Sequence, residues 1–342
     1  MAAAKLITIS CVVSVFLIFF ITLSNAASYN VITFGAKPDG RTDSTQSFLR
    51  AWAVACRSSQ ASTIVVPKGR YLIKNAVFRG PCKSRITVQI SGTIVAPNDY
   101  RALGKSDRWI LFIKVDRLSI IGGTLDGKGA GFWACRKSGR NCPVGTRSIT
   151  INSANNVIVS GLTSINSQLS HLVISSCNNV IVRNVKFIAP AESPNTDGIH
   201  VESSTGVTIT GGTIQTGDDC ISVGRGTRNL HMSNIKCGPG HGVSIGSLGK
   251  DLNEDGVENV TLTNSVFTGS DNGVKISQVT YRNIQGTSAT PKAVAFDCSS
   301  SNPCRGIKLQ DIKLTYMNKA ATSTCKNIGG TISGVIMPRS CL

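Results

Sequence analysis

Aromatic residues make up only 6% of this 342-residue chain, and the 18 acidic residues are outnumbered two to one by 36 Lys and Arg. So few rings, beside 34 glycines and short alternating runs of Val, Ile, Thr, Ser and Asn, disfavour a helical protein and favour short strands joined by tight turns. No CxxC and no histidine-rich spacing occurs, so the usual zinc arrangements have no support. Past the first 26 residues no apolar run is long enough to cross a bilayer. The shortage of acid leaves a net charge of +18, which points to an anionic partner.

The N-terminus carries Lys5, an apolar stretch "LITISCVVSVFLIFFITL" and then the small residues "SNAA", the order of a secretory leader. The reading is therefore a leader over 1–26 and one secreted domain over 27–342, without membrane contact once the leader is removed. In that setting nucleic acid is a poor match for the positive charge, and an acidic extracellular polysaccharide is a better one. A monomer is the default expectation. Setting aside Cys11, eleven cysteines remain, and Cys135/Cys142, Cys220/Cys237, Cys298/Cys304 and Cys325/Cys341 lie as near pairs, as expected of disulfides in an oxidising compartment. Cys177, in "ISSCNNV", is the expected odd thiol, buried in an apolar strand. Asn259-Val260-Thr261 is a glycosylation sequon.

A repeat organises the rest. "DGIHV" (197–201), "DCISV" (219–223) and "HGVSI" (241–245) start twenty-two residues apart, and "NGVKI" (272–276) follows after a polar insertion, "GKDLNEDGV". A second strand keeps the same phase: "NVIVRNVKF", "GVTITGGTI", "NLHMSNIKC", "NVTLTNSVF". Short strands at this period, with no helices between them, predict an all-β, single-domain, right-handed parallel β-helix. A propeller needs longer blades, and a sandwich has no constant period. Open stacks need covered ends. "STQSFLRAWAVACRSSQ" (44–60) has helical spacing and is the expected N-terminal cap, with the tail "CKNIGGTISGVIMPRSC" at the other end.

In such a stack, equivalent residues of adjacent coils lie roughly 4.8 Å apart. Asp197, Asp219 and His241 are equivalent, and Asp218 sits beside the middle one. An Asp before Gly often only closes a turn. Three crowded carboxylates are different, because their repulsion destabilises the fold and raises at least one pKa. Separated carboxyl pKa values are what glycoside hydrolysis uses: one group gives a proton to the leaving oxygen and another acts on water. One difficulty remains within "QTGDDCISVG". In a regular strand, adjacent side chains face opposite ways, so one of Asp218 and Asp219 would enter the core. The expected resolution is that both precede the regular strand, with Gly217 giving the backbone room and Cys220 pinning the bend.

"SPNTDGIH", "TGDDC" and "CGPGHGVSIGSLG" occur in that order. With "FGAKPDGRTDSTQSFLRAW" they make the chain, from about residue 29 onward, resemble the plant polygalacturonases of glycoside hydrolase family 28. The resemblance implies the same β-helix and inverting hydrolysis of α-1,4 linkages in de-esterified homogalacturonan, with no metal or organic cofactor. It makes Asp218 the general acid, Asp197 and Asp219 the groups that activate water, and His241 the support of the acid. Asn195 and Gly242 would shape the cleft and bind substrate.

One motif departs from the family. Its Arg-Ile-Lys run after "NGV" reads "KIS" here, with Lys275 at the Arg position and Ser277 at the Lys position. Lys275 is then the substrate-binding candidate, without the bidentate fork of Arg. The alternative is an in-frame loss of about two coils between 273 and 275, which would place Lys275 in a later coil. Two functions stay open: a secreted polygalacturonase, or a pectin-binding β-helix with little catalysis. A lyase would need a calcium site and a basic proton abstractor, and no matching constellation is present.

Overall fold

A computed structural model describes residues 27–103, 106–246, 255–270, 279–298, 300 and 303–342. The expected leader, most of the polar insertion, and the "NGVKIS" segment with Lys275 and the proposed junction lie outside the described residues.

The chain winds as a parallel β-helix. One wall is a seven-stranded sheet running through Ala76–Arg79, Arg108–Ile113, Arg147–Asn152, Leu172–Ser175, Ile199–Glu202, Asp219–Val223 and Gly242–Ile245. Every pairing in it is parallel. Alternation fixes the register, because a slip of one residue would turn the aliphatic face outward. Ile110, Ile149, Leu172, Ile199, Ile221 and Val243 pair in succession, and all six are buried. Each such side chain contributes about 1.5–3 kcal/mol, so the interior ladders carry the stability and leave the outward residues free for chemistry.

The opposite walls are built from long bent strands, among them Asn178–Ile188, Thr205–Gln215, Arg228–Cys237 and Glu258–Ser270. Asn184, Asn234 and Asn264 sit at their bends with φ of 53°, 57° and 50°, a region that Asn tolerates better than most residues. Asparagines also stack between coils. Asn179 Nδ2 donates to Asn156 Oδ1 at 2.7 Å, and Asn259 Nδ2 to Asn229 Oδ1 at 2.6 Å. The sequon amide is thus already a member of a ladder. The long walls continue on the far side of residues 271–278, with Val260 paired to Val279 and Thr280 to Lys308.

Helix Thr45–Arg57 closes the N-terminal end as expected. Phe48, Ala51, Trp52 and Ala55 share its buried face at helical spacing. Trp52 packs its ring 5.1 Å from Phe78 and 5.5 Å from Phe112. The four expected disulfides form, and Cys177 is free and buried. A fifth bridge, Cys56–Cys82, ties the capping helix to the first coils. A second helix, Ala130–Lys137, interrupts the coils and buries Phe132 and Trp133 in a small separate cluster with Ala189. Strand Ile328–Met337 forms the last rung on Cys304–Tyr316, and Cys325–Cys341 ties down the tail. No described helix is long and apolar enough to cross a membrane.

Candidate active site

The parity problem is solved by a bulge. Asp219 pairs with Gly242, yet Ile221 pairs with Val243, so Cys220 is an extra residue in its strand. Cys220 and Ile221 both point inward and are fully buried, which turns Asp219 and Ser222 to the same outer face. The strand begins at Asp219; the expectation that both aspartates precede it holds for Asp218 alone. The adjacent coils solve the same problem with glycine, Gly198 before Ile199 and Gly242 before Val243. A Cβ on Gly198 would lie 2.4 Å from Ile214 Cγ2 and 2.6 Å from Cys220 O, so only glycine fits there.

Asp218 lies in the turn before the strand and is held by three neighbours. The backbone N–H of Asn195 donates to its Oδ2 at 3.1 Å, and that of Asp219 to its Oδ1 at 2.9 Å. His241 Nδ1 stands 3.3 Å from Oδ1. The His241 backbone N–H also donates to Asp218 O at 2.9 Å, so the imidazole and the carboxyl are positioned by one contact between coils. The Asp218 side chain is 19% exposed and that of His241 48%, which puts His241 on the rim and the carboxyl sheltered beneath it. One donor atom from each of Asp218, Asp219 and His241 falls within 4.8 Å of the others.

The two remaining carboxylates each receive a serine proton from the following coil. Ser222 Oγ donates to Asp197 Oδ2 at 2.5 Å, and Ser244 Oγ to Asp219 Oδ1 at 2.5 Å. Burial raises the Asp219 pKa to about 7; the Ser244 bond opposes it, while the charges of Asp197 and Asp218 add to it. Asp197 is raised too, by burial first and by the Asp218 charge, against the bond from Ser222. Asp219 therefore keeps its proton through the mildly acidic range, and crowding of this kind is what separates the carboxyl pKa values that acid–base hydrolysis uses.

All four acid–base candidates come together. Asn195 lies beside them and contributes its main-chain N–H to Asp218, at a left-handed φ of 55°. Gly242 has φ of +93°, and a Cβ there would meet nothing nearer than Phe267 Cε1 at 3.9 Å. Its requirement is thus conformational: it lets the chain turn from His241 into the strand. Lys275 lies outside the described residues. Sequence reasoning missed Ser222, Ser244 and His200, although the aligned pentads place all three in one column, at the fourth position of "DGIHV", "DCISV" and "HGVSI".

Gly217 is needed for close approach. A Cβ there would fall 2.2 Å from Ser193 O and 2.5 Å from Ser193 N, in the loop that carries Asn195 and Asp197. Its N–H donates to Thr196 Oγ1 at 3.1 Å. Gly217→Ala is expected to push these two loops apart and cost about 1–3 kcal/mol. Thermal melting measures this, and an unchanged melting temperature would contradict the packing described.

Comparison with known proteins adds a separate line. The model of glycosyl hydrolases family 28 matches residues 56–278 and again 271–335. A polygalacturonase of Prunus persica is 45% identical, covering 94% of this chain and 95% of its own, over 372 aligned positions. A polygalacturonase of Gossypium hirsutum is 37% identical, covering 96% and 94%. Among solved structures, a polygalacturonase from Erwinia carotovora superposes with a TM-score of 0.71 at 21% identity, covering 90% of this chain and 97% of that one; at that identity it bears on the fold alone. With its β-helix, its acidic cluster and family matches spanning most of its length, this chain belongs to family 28 of the glycosyl hydrolases.

Proposed function

We propose that this protein is a polygalacturonase that hydrolyses α-1,4 linkages of de-esterified pectin with inversion of configuration. The observation that carries the reading is the assembly of Asp197, Asp218, Asp219 and His241 on one outer face, with His241 beside Asp218 and a serine donating to each of Asp197 and Asp219. Asp218 gives its proton to the leaving oxygen, with His241 beside it. Asp197 and Asp219, oriented by Ser222 and Ser244, take the proton of the attacking water. The substrate is a polyanion, and the net charge of +18 favours its approach. A purely pectin-binding role is not favoured, since it gives no reason to keep three mutually repelling carboxylates.

Secretion to the cell wall is part of the same reading. Five disulfides support it, because such bridges persist in oxidising compartments. The 27–342 domain lacks whole coils between 273 and 275. Two things favour this: the family match falls in two stretches meeting at 271–278, and the alignment to the Prunus relative needs more positions than the chain has residues. A loss in units of whole coils keeps every inward face in phase, and a solenoid tolerates it because each coil contacts mainly its neighbours.

The test is release of reducing ends from polygalacturonate by the purified protein, with proton NMR of the first product formed. The β-anomer is expected before mutarotation. An α-anomer would sink the inverting mechanism, an unsaturated ultraviolet-absorbing product would mean elimination, and binding without turnover would leave a lectin-like role.

A further inference from the structure

The groove floor carries a chain of contacts that the acid–base cluster does not by itself explain. His200 Nδ1 lies 2.8 Å from Ser222 Oγ, the hydroxyl that donates to Asp197. On its other side, His200 Nε2 lies 3.6 Å from Glu202 Oε2. Glu202 is held at a pKa of about 2, first by its contact with His200 and also by Ser175 and the charge of Arg147. The register makes the arrangement: His200 and Glu202 are two apart on the outer face of one strand, and His200 pairs with Ser222 of the next coil and Val173 of the previous one. The charged groups against the ring are Glu202 and Asp197, with Arg147 acting on Glu202.

A serine hydroxyl has one proton to give. When the ring carries one proton, the Glu202 carboxylate facing Nε2 favours that nitrogen for it. When the ring is also protonated at Nδ1, that N–H donates to Ser222 Oγ and the serine proton is directed to Asp197. When Nδ1 is bare, it competes for the same serine proton, and Asp197 loses its donor. A charged ring with ionised Asp197, and a neutral ring with protonated Asp197, hold the same number of protons and differ by a shift along the hydroxyl.

We propose that His200 and Ser222, anchored by Glu202, are positioning residues for Asp197, aiming the serine proton at its carboxylate while His200 is charged and withdrawing it when His200 is neutral. The proposal rests on the reading of Asp197 as a group that activates water. It makes Asp197 and Asp219 unequal, since only the serine on Asp197 shares its hydroxyl with His200.

The experiment follows the carboxyl titration of Asp197 by NMR of the folded protein labelled at aspartate 13Cγ, the signal being identified with Asp197→Asn. It is paired with kcat and KM on polygalacturonate across pH. Ser222→Ala is expected to move the Asp197 titration to higher pH and to lower kcat about 10–100-fold with KM little changed; Ser222→Thr, which keeps the hydroxyl, restores both. His200→Asn supplies an amide donor that does not titrate, and is expected to keep activity on the alkaline side where the native enzyme loses it. An Asp197 titration unmoved by Ser222→Ala, a Ser222→Thr variant as impaired as Ser222→Ala, or a His200→Asn pH profile matching the native one would each overturn the relay. If the native protein fails to cleave polygalacturonate while the Asp197 titration responds as described, the hydrolase reading falls and the relay stands.

Discussion

Asp218→Asn is expected to lower kcat on polygalacturonate by about 10³-fold, the scale of a lost general acid, with KM changed less than about threefold. The amide is nearly isosteric but has a single oxygen, so it keeps one of the two bonds that Asn195 and Asp219 make to different carboxylate oxygens and loses the other, a change confined to the turn. What it cannot do is give a proton to the leaving oxygen. The defect should therefore appear in the chemical step and spare binding. Initial rates of reducing-end release, with KM from the same series, check this. A variant retaining more than about a tenth of native kcat would take the acid role from Asp218 and point to Asp219, whose pKa is raised to about 7, since general-acid losses run well beyond tenfold.

Asp219→Asn is expected to abolish turnover and yet stabilise the fold at neutral pH. The folded-state pKa of Asp219 is about 7 against an ordinary 3.8. Between those values the folded protein holds a proton that the unfolded chain has released, so stability falls as pH rises through the window. Above pH 7 the full cost of a buried, crowded charge is present; below about pH 4 both states are protonated and the cost vanishes. Asn removes that charge, so the variant should be more stable by about 2–4 kcal/mol at pH 8, with a difference that shrinks towards zero near pH 4. Urea denaturation at the two pH values decides it. A variant less stable than the native protein at pH 8, or a difference that ignores pH, would contradict the raised pKa. The raised pKa of Asp197 acts with the same sign, so the site as a whole costs stability, as functional sites commonly do.

The period of twenty-two residues made the fold legible, because a constant register is the only way these strands can bury one another's aliphatic faces. It also identified the acidic column, since stacking turns equal phase into spatial contact. Cysteines close in sequence were readable for a related reason: short loops bring them together whatever the fold. Cys56 and Cys82, 26 residues apart, meet only because the capping helix docks over the first coils, and local spacing carries no trace of that. Helix Ala130–Lys137 was hidden likewise, its few apolar residues packing on a cluster of their own away from the main core.

The sequence by itself determined the β-helix, four of its five disulfides, the free Cys177 and the gathering of Asp197, Asp218, Asp219 and His241, because each follows from periodicity or from residues near one another along the chain. Only the tertiary structure decided how two adjacent aspartates share one face. It did so through the extra inward residue at Cys220 and the glycine-only contact of Gly217 with Ser193. It alone also showed that Ser222 and Ser244 donate to Asp197 and Asp219 and that His200 Nδ1 lies 2.8 Å from the Ser222 hydroxyl. Hydrogen bonds between coils depend on side-chain direction to within tenths of an ångström, and a repeat fixes which residues are neighbours without fixing which way their protons point.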